Sequence, residues 1–263
     1  MCLILLSYHN HPSYGLILAA NRDEFYDRPT APLCFWPEAP NILAGRDLKS
    51  GGTWLGVTKT GRICAITNFR DPAVQMPDAP SRGFLVADYL KGSESPLAYL
   101  QKIKPDGQRY NGFNLLAGDE SGIFWFSNRS GEISRLSPGI HGLSNHLLDT
   151  PWPKVAKGEK CLKKILSANE IGRESIFGLL SDRDMPADRD LPDTGVGIDW
   201  ERILSPLFIK SDIYGTRSSS IVLIGKEKTT FTERTYFKNE TGSMEHETRQ
   251  FTLPNDFLQS RHF

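Results

Sequence analysis

Short apolar runs broken by turn residues dominate both ends of the chain, and helical spacing is confined to two stretches between them. Residues 2–8 and 15–20 are near-continuous apolar segments around Pro12, Ser13 and Gly15. They predict a hairpin of two strands buried on both faces. Residues 21–50, rich in Pro, Asp and Arg, read as a long irregular excursion. Segments 53–58 and 62–68 flank the turn Lys59-Thr60-Gly61 and predict a second hairpin. Ser81 is a candidate cap for a helix carrying Phe84, Leu85, Ala87 and Leu90, and a further helix is expected over 95–103. A strand meander follows at 113–117, 123–127 and 133–136, with one more strand at 139–145.

From Trp152 to about Asp188 the period turns helical. Val155, Cys161, Leu162, Ile165 and Leu166 fall on one face, and 175–180 fits a second helix. Residues 183–199 read as a loop, 200–205 as a short helix, and 218–225, 229–237 and 244–252 as strands. No repeat or low-complexity linker interrupts this order. It predicts an α+β chain folding as one domain over residues 1–263, with two sheets and helices outside them.

Composition narrows the function class. The 39% apolar and 24% charged content is that of a globular protein, which excludes disordered and collagen-like classes. The 31 basic and 31 acidic side chains cancel, which argues against a general nucleic-acid or membrane-surface binder. No apolar stretch reaches the roughly 18 residues of a membrane span, and the N-terminus lacks the basic region of a secretory signal. Cys2, Cys34, Cys64 and Cys161 lie far apart with no CxxC, and the six histidines include no HExxH. That pattern predicts free thiols in a reducing, cytoplasmic setting, with neither disulfide framework nor metal site.

Cys2 is the first candidate for chemistry. Removal of Met1 would leave it at the N-terminus, with a thiol of pKa about 8.5 and an α-amine of about 7.7–8.0 on one residue. A neutral amine can then take the thiol proton, so the residue is a nucleophile carrying its own base. The plainer reading is a small buried residue on the first strand. Asn21-Arg22-Asp23-Glu24 follows the second strand of the predicted hairpin, which brings Arg22 or Asp23 within reach of Cys2. An arginine there favours thiolate, and an aspartate can orient the amine. Asn68, Asn145 and Arg217 each sit at an end of an apolar strand. Asparagine amides can donate to an oxyanion and arginine can clamp a carboxylate; singly, each is also an ordinary turn residue. Gly51-Gly52-Thr53-Trp54 matches no phosphate-binding pattern and reads as a substrate-side loop or a tight turn.

Taken together, Met1-Cys2, Asn21-Arg22-Asp23-Glu24, Gly51-Gly52-Thr53-Trp54, Thr67-Asn68-Phe69-Arg70, Gly142-Leu143-Ser144-Asn145, Asp149-Thr150-Pro151-Trp152-Pro153-Lys154 and Tyr214-Gly215-Thr216-Arg217 resemble the NRDE family. It is also called the transport-and-Golgi-organisation protein 2 family. The resemblance spans residues 1 to about 253. It implies the N-terminal-nucleophile hydrolase fold, a four-layer αββα sandwich of two mainly antiparallel sheets. Within that superfamily the layout is most similar to the cysteine enzymes that cleave conjugated bile acids, penicillin V and N-acylethanolamines. By motif, Cys2 matches their nucleophile and Asp23 their aspartate. Asn68 and Asn145 match their two asparagines, and Arg217 their late arginine. Arg22 matches the strand-two arginine with a displacement of one or two positions, because the local residue order differs.

Two functions follow as expectations. One is hydrolysis of a linear, non-peptide amide through Cys2, with a small-molecule substrate and no cofactor. The other is carriage of a hydrophobic or haem-like ligand, since eukaryotic members of the family are linked with haem trafficking, lipid metabolism and secretory organisation. Phe35, Trp36, Trp54, Phe69 and Trp152 would line the carrier's pocket, with His and Cys as axial ligands; the plainer account makes these aromatics core.

Overall fold

A computed structural model describes residues 2–168, 171–239 and 242–255 of the chain, with Met1 and the side chain of Cys2 outside the described residues. In chain order the strands are β1 (Cys2–Tyr8), β2 (Tyr14–Phe25), β3 (Thr30–Trp36), β4 (Ala39–Asp47), β5 (Leu55–Thr58), β6 (Ile63–Asn68), β7 (Phe113–Asp119), β8 (Gly122–Ser127), β9 (Ile133–Arg135), β10 (Gly139–Leu143), β11 (Tyr214–Gly225), β12 (Lys228–Lys238) and β13 (Met244–Pro254). The helices are α1 (Gly83–Lys91), α2 (Pro96–Ile103), α3 (Pro153–Leu166), α4 (Arg173–Leu180) and α5 (Ile198–Leu204). The chain divides into two compact units. One comprises Met1–Asp27, Pro138–Ser144 and Leu148–Thr252; the other comprises Arg28–Ser137, Asn145–Leu147 and Leu253–Phe263.

The first unit holds a six-stranded sheet in the order β10-β1-β2-β11-β12-β13. Strand alternation places every second residue on one face. Leu3 and Leu5 of β1 pack with Val155 and Leu162 of α3. Ile17 and Ala19 of β2, with Ile221 and Leu223 of β11, pack with Ile176, Phe177 and Leu180 of α4. Each such side chain contributes about 1.5–3 kcal/mol when fully buried. Ile4 and Arg22 belong to the opposite face by the same alternation. The predicted hairpin of β1 and β2 is present in antiparallel register from Cys2↔Arg22 to Tyr8↔Leu16.

The second unit holds a seven-stranded sheet in the order β3-β4-β5-β6-β7-β8-β9, with α1 and α2 against it. Val86, Tyr89, Tyr99 and Leu100 of the helices pack with Cys64 and Ile66 of β6 and Leu115 and Ala117 of β7. Each unit therefore supplies one sheet and one helix layer, the components that the four-layer α+β expectation requires.

The largest departure from the expected elements is at residues 21–50. They are not an irregular excursion: β2 continues to Phe25, and β3 and β4 form a hairpin. The prolines that suggested a loop are tolerated for a positional reason. β3 is the edge strand of its sheet, and Pro32 falls where its register with β4 shifts, between Ala31 and Cys34. Proline cannot donate to a ladder, but an edge or a bulge asks for no donor there. Arg82 rather than Ser81 stands at the α1 cap, with no side-chain bond. At α2, Ser95 caps as its type predicts, accepting from Ala98 N, with Pro96 in the first turn. β11 starts at Tyr214, four residues before the expected 218.

Candidate active site

Three strands of the first unit bring Cys2, Arg22 and Ser218 into register with one another. Cys2 on β1 stands opposite Arg22 on β2, and Arg22 stands opposite Ser218 on β11. Directly opposed residues of an antiparallel pair share a face, about 4.5–5.5 Å apart at Cβ. The row therefore lies on the face turned away from α3 and α4. The Arg22 side chain is only 5% exposed, and its guanidinium lies 3.8 Å from Glu24.

Arg217 enters through an irregularity. The register of β11 on β2 jumps from Thr216↔Asp23 to Ser218↔Arg22, so Arg217 is the extra residue of a bulge. Its guanidinium donates to the carbonyls of Phe25 at 2.8 Å and Tyr26 at 3.1 Å. Burial, and then the neighbouring charge of Arg22, hold the Arg217 guanidinium below its ordinary value. The bulge also resets which residues share a face, so that Thr216 sides with Asp23 and Ser218 with Arg22.

Asp23 occupies the opposite side of β2 from Arg22. It accepts from Thr216 Oγ1 at 2.7 Å, and that hydroxyl in turn accepts from Ile209 N at 2.9 Å. Burial pushes the Asp23 carboxyl above the usual carboxylate range, opposed by the nearby Lys154, the Thr216 bond and Arg22. Lys154 is itself buried and donates to Leu204 O at 3.0 Å. Asn21, first of its four-residue block, is an architectural residue. Its amide donates to Leu180 O and Leu207 O, each at 2.8 Å, and its carbonyl accepts from Ser219 Oγ at 2.6 Å. Asn21 thereby ties the last residue of α4 to the sheet.

Asn68 and Asn145 are brought together within the second unit. Asn68 ends β6, and Asn145 Nδ2 donates to Asn68 O at 3.0 Å while Asn145 O accepts from Arg70 N at 2.7 Å. The next residue is held as well: His146 O accepts from Asn114 Nδ2 at 2.9 Å, and its ring stacks on Phe69 with centroids 4.9 Å apart. Burial keeps the His146 ring below its ordinary pKa.

So the structure gathers Cys2, Arg22, Asp23 and Arg217 in the first unit, and Asn68 with Asn145 in the second. Sequence reasoning missed three residues of the first group. Thr216 and Ser218 flank Arg217 in a run of hydroxyl residues, and counting strand alternation through that run cannot reveal a bulge. Lys154 was visible in its motif, but nothing in the local pattern signals that the lysine is buried. Of the aromatics expected to line a carrier's pocket, Trp36 is 1% exposed and bonded to Ala44 O, and Trp54 packs against the same core. Trp152 packs against the α3 core of the first unit. His141 pairs its Nδ1 with Asp149 Oδ2 at 2.8 Å. Burial pushes the Cys64 thiol well up. Among the described residues no group of three or more His, Cys, Asp or Glu is arranged to hold a metal ion. Nor is any helix of the described residues long and apolar enough to cross a membrane.

This α+β fold is of the N-terminal-nucleophile hydrolase kind. It superimposes with a TM-score of 0.52 on the Caenorhabditis elegans N-acylethanolamine-hydrolyzing acid amidase ortholog, at 9% identity over 84% of this chain and 92% of that one. At that identity the likeness concerns the fold alone. Sequence is more particular. The family model for Transport and Golgi organisation 2 matches residues 1–238, and the chain belongs to that family. It is 36% identical to the mouse Transport and Golgi organization 2 homolog, covering 96% of this chain and 99% of the mouse protein. It is 30% identical to the Drosophila melanogaster Transport and Golgi organization protein 2, covering 89% and 92%.

Proposed function

We propose that the protein is an amidase of the N-terminal-nucleophile type, cleaving a linear, non-peptide C–N bond through Cys2 after removal of Met1. The observation that carries this reading is the register of Cys2 on β1 against the buried Arg22 on β2. Cationic neighbours favour thiolate over thiol, and the α-amine of the same residue is the base that accepts its proton.

In the proposed reaction the Cys2 sulfur attacks the carbonyl carbon, and the C=O π pair moves onto oxygen. Collapse of the tetrahedral intermediate breaks the C–N bond, and the α-ammonium returns its proton to the departing amine. Water then attacks the thioester, giving the carboxylic acid and the free thiol. Asp23 is proposed to orient the α-amine. The proposed role of Asn68 and Asn145, donation to the developing oxyanion, rests on the family resemblance alone.

The test is peptide-resolved mass spectrometry after brief treatment with substoichiometric thiol electrophile, followed by an acyl-amide turnover screen with Cys2→Ala. The expected result is a chain beginning at Cys2, with Cys2 labelled well ahead of Cys34, Cys64 and Cys161. Turnover should fall by about three orders of magnitude or more on substitution, the size seen when a nucleophile is removed. Retained Met1 on active protein, or unchanged turnover in Cys2→Ala, overturns the proposal.

A further inference from the structure

We propose that the open edge of β9 is a docking site for an extended peptide segment of a partner protein, one carrying an apolar side chain and a carboxylate two residues before it. The site lies wholly within the second unit. β9 is the last strand of the seven-stranded sheet and pairs with β8 in the register Phe126↔Ile133, Trp125↔Ser134 and Phe124↔Arg135. Leu136 N donates to Ile123 O at 2.8 Å, and Ser127 N donates to Glu132 O at 3.3 Å. Residues of an antiparallel strand aim their N–H and C=O alternately at the partner and away from it. Glu132, Ser134 and Leu136 therefore turn these groups towards β8, and Ile133 and Arg135 turn theirs to the open edge. No hydrogen bond from a described residue satisfies the outward groups. A further strand would pair them.

A cleft of about 500 Å³ opens beside that edge, lined by Leu97, Gln101, Lys104 and Pro105 of α2 and its C-terminal end and by Ile133 of β9. Leu97 is 38% exposed. The Gln101 amide and the Lys104 ammonium form no hydrogen bond or ion pair with described residues. Alternation sets Arg135 on the same face as Ile133, and Glu132 on the other. The Arg135 guanidinium is exposed and gives one hydrogen bond, to Ser121 O at 2.8 Å, with no acidic partner among the described residues. This face of the edge thus presents an apolar cleft and two cations without a matching acid.

That arrangement sets the order of the partner's residues. Every pairing in this sheet is antiparallel. A strand added in that sense exchanges both backbone bonds with Ile133 and both with Arg135. The two added residues that do so turn their side chains to the face of Ile133. The one opposite Ile133 enters the cleft, where an apolar group meets Leu97 and Pro105. The one opposite Arg135 comes two places earlier in the partner. A carboxylate there gains an opposite-charge pair across the strands, with Lys104 as the second cation. Main-chain bonds then supply affinity, and the cleft and the charges supply selectivity.

The probe is the peptide acetyl-Thr-Glu-Thr-Leu-Thr-amide, titrated to millimolar concentration into the isotope-labelled full chain and read by amide chemical shifts. The Ile133 and Arg135 amides should shift saturably. Lysine in place of the glutamate should weaken binding about fivefold or more, the upper range for an exposed ion pair, and Lys104→Glu should erode that preference. N-methylation of the leucine nitrogen, which faces β9, should weaken binding about tenfold. N-methylation of the threonine after it, whose N–H faces away, should not. Absence of saturable shifts at Ile133 and Arg135, equal binding of the glutamate and lysine peptides, or equal loss from the two methylations overturns the proposal. Shifts at β9 that grow with protein concentration alone would assign the edge to a second copy of the chain and overturn it as well.

Discussion

Asp23 and Arg22 are adjacent in the chain yet live in different surroundings, because consecutive strand residues point to opposite faces. Arg22 shares its row with Cys2 and Ser218. Asp23 is enclosed with Thr216 and Lys154 nearby, and burial dominates its titration. A carboxyl whose folded pKa is raised binds its proton more tightly folded than unfolded. The resulting stability is fully present below the unfolded value of about 3.9 and is lost as pH rises through the folded value. Asp23→Asn keeps an acceptor for Thr216 and cannot ionise. The urea midpoint of the unmodified protein should therefore decline relative to Asp23→Asn as pH rises from about 4. Parallel curves for the two proteins between pH 3 and 7 would show that Asp23 ionises without cost.

Elements meet closely where glycines allow it, and the loop before β5 is the clearest case. Thr53 N donates to Gly83 O at 3.2 Å, drawing the first residue of α1 onto that loop. A methyl group at Gly52 would overlap the Gly83 backbone, which cannot swing aside as a side chain can. Gly51 beside it has φ +79°, a conformation open to glycine at little cost. This gives Gly51-Gly52-Thr53-Trp54 a structural purpose: it seats α1 on the second unit's sheet. Gly52→Ala should destabilise the protein by about 1–3 kcal/mol, the usual cost of overpacking, read as a lowered denaturation midpoint. An unchanged midpoint would mean that α1 shifts freely on the loop.

For the molecule as a whole, the balanced charge of 31 basic and 31 acidic groups sets the expected partners. Many of these groups pair locally, as Arg28 does with Asp47 at 2.6 Å and Arg202 with Asp188 at 2.6 Å. A chain without a basic excess releases few counterions on a polyanion. It should pass through a heparin column unretained at about 0.15 M ionic strength, where surface charges interact over only about 8 Å. Elution that needs added salt would reveal a concentrated basic surface and reopen the nucleic-acid class.

Local pattern was enough for most strands and helices, because alternation and 3.6-residue spacing are written in consecutive residues. The β1–β2 hairpin is the strongest case: two apolar runs and a short turn determine its pairing, and with it the approach of Cys2 to Arg22. The motifs likewise carried the family. The hairpin of β3 and β4 escaped detection because prolines signal a break unless a strand is known to be an edge, and edges exist only once a sheet is assembled. The site shows the same division. Cys2, Arg22 and Asp23 were legible as neighbours because one hairpin holds them. Arg217 and Ser218 come from nearly two hundred residues away and owe their placement to a bulge in a non-local pairing. The joining of Asn145 to Asn68 is equally non-local. Whether a polar residue such as Lys154 or Ser218 is buried, and with which partner, depends on contacts between distant segments, so the tertiary structure alone decides it.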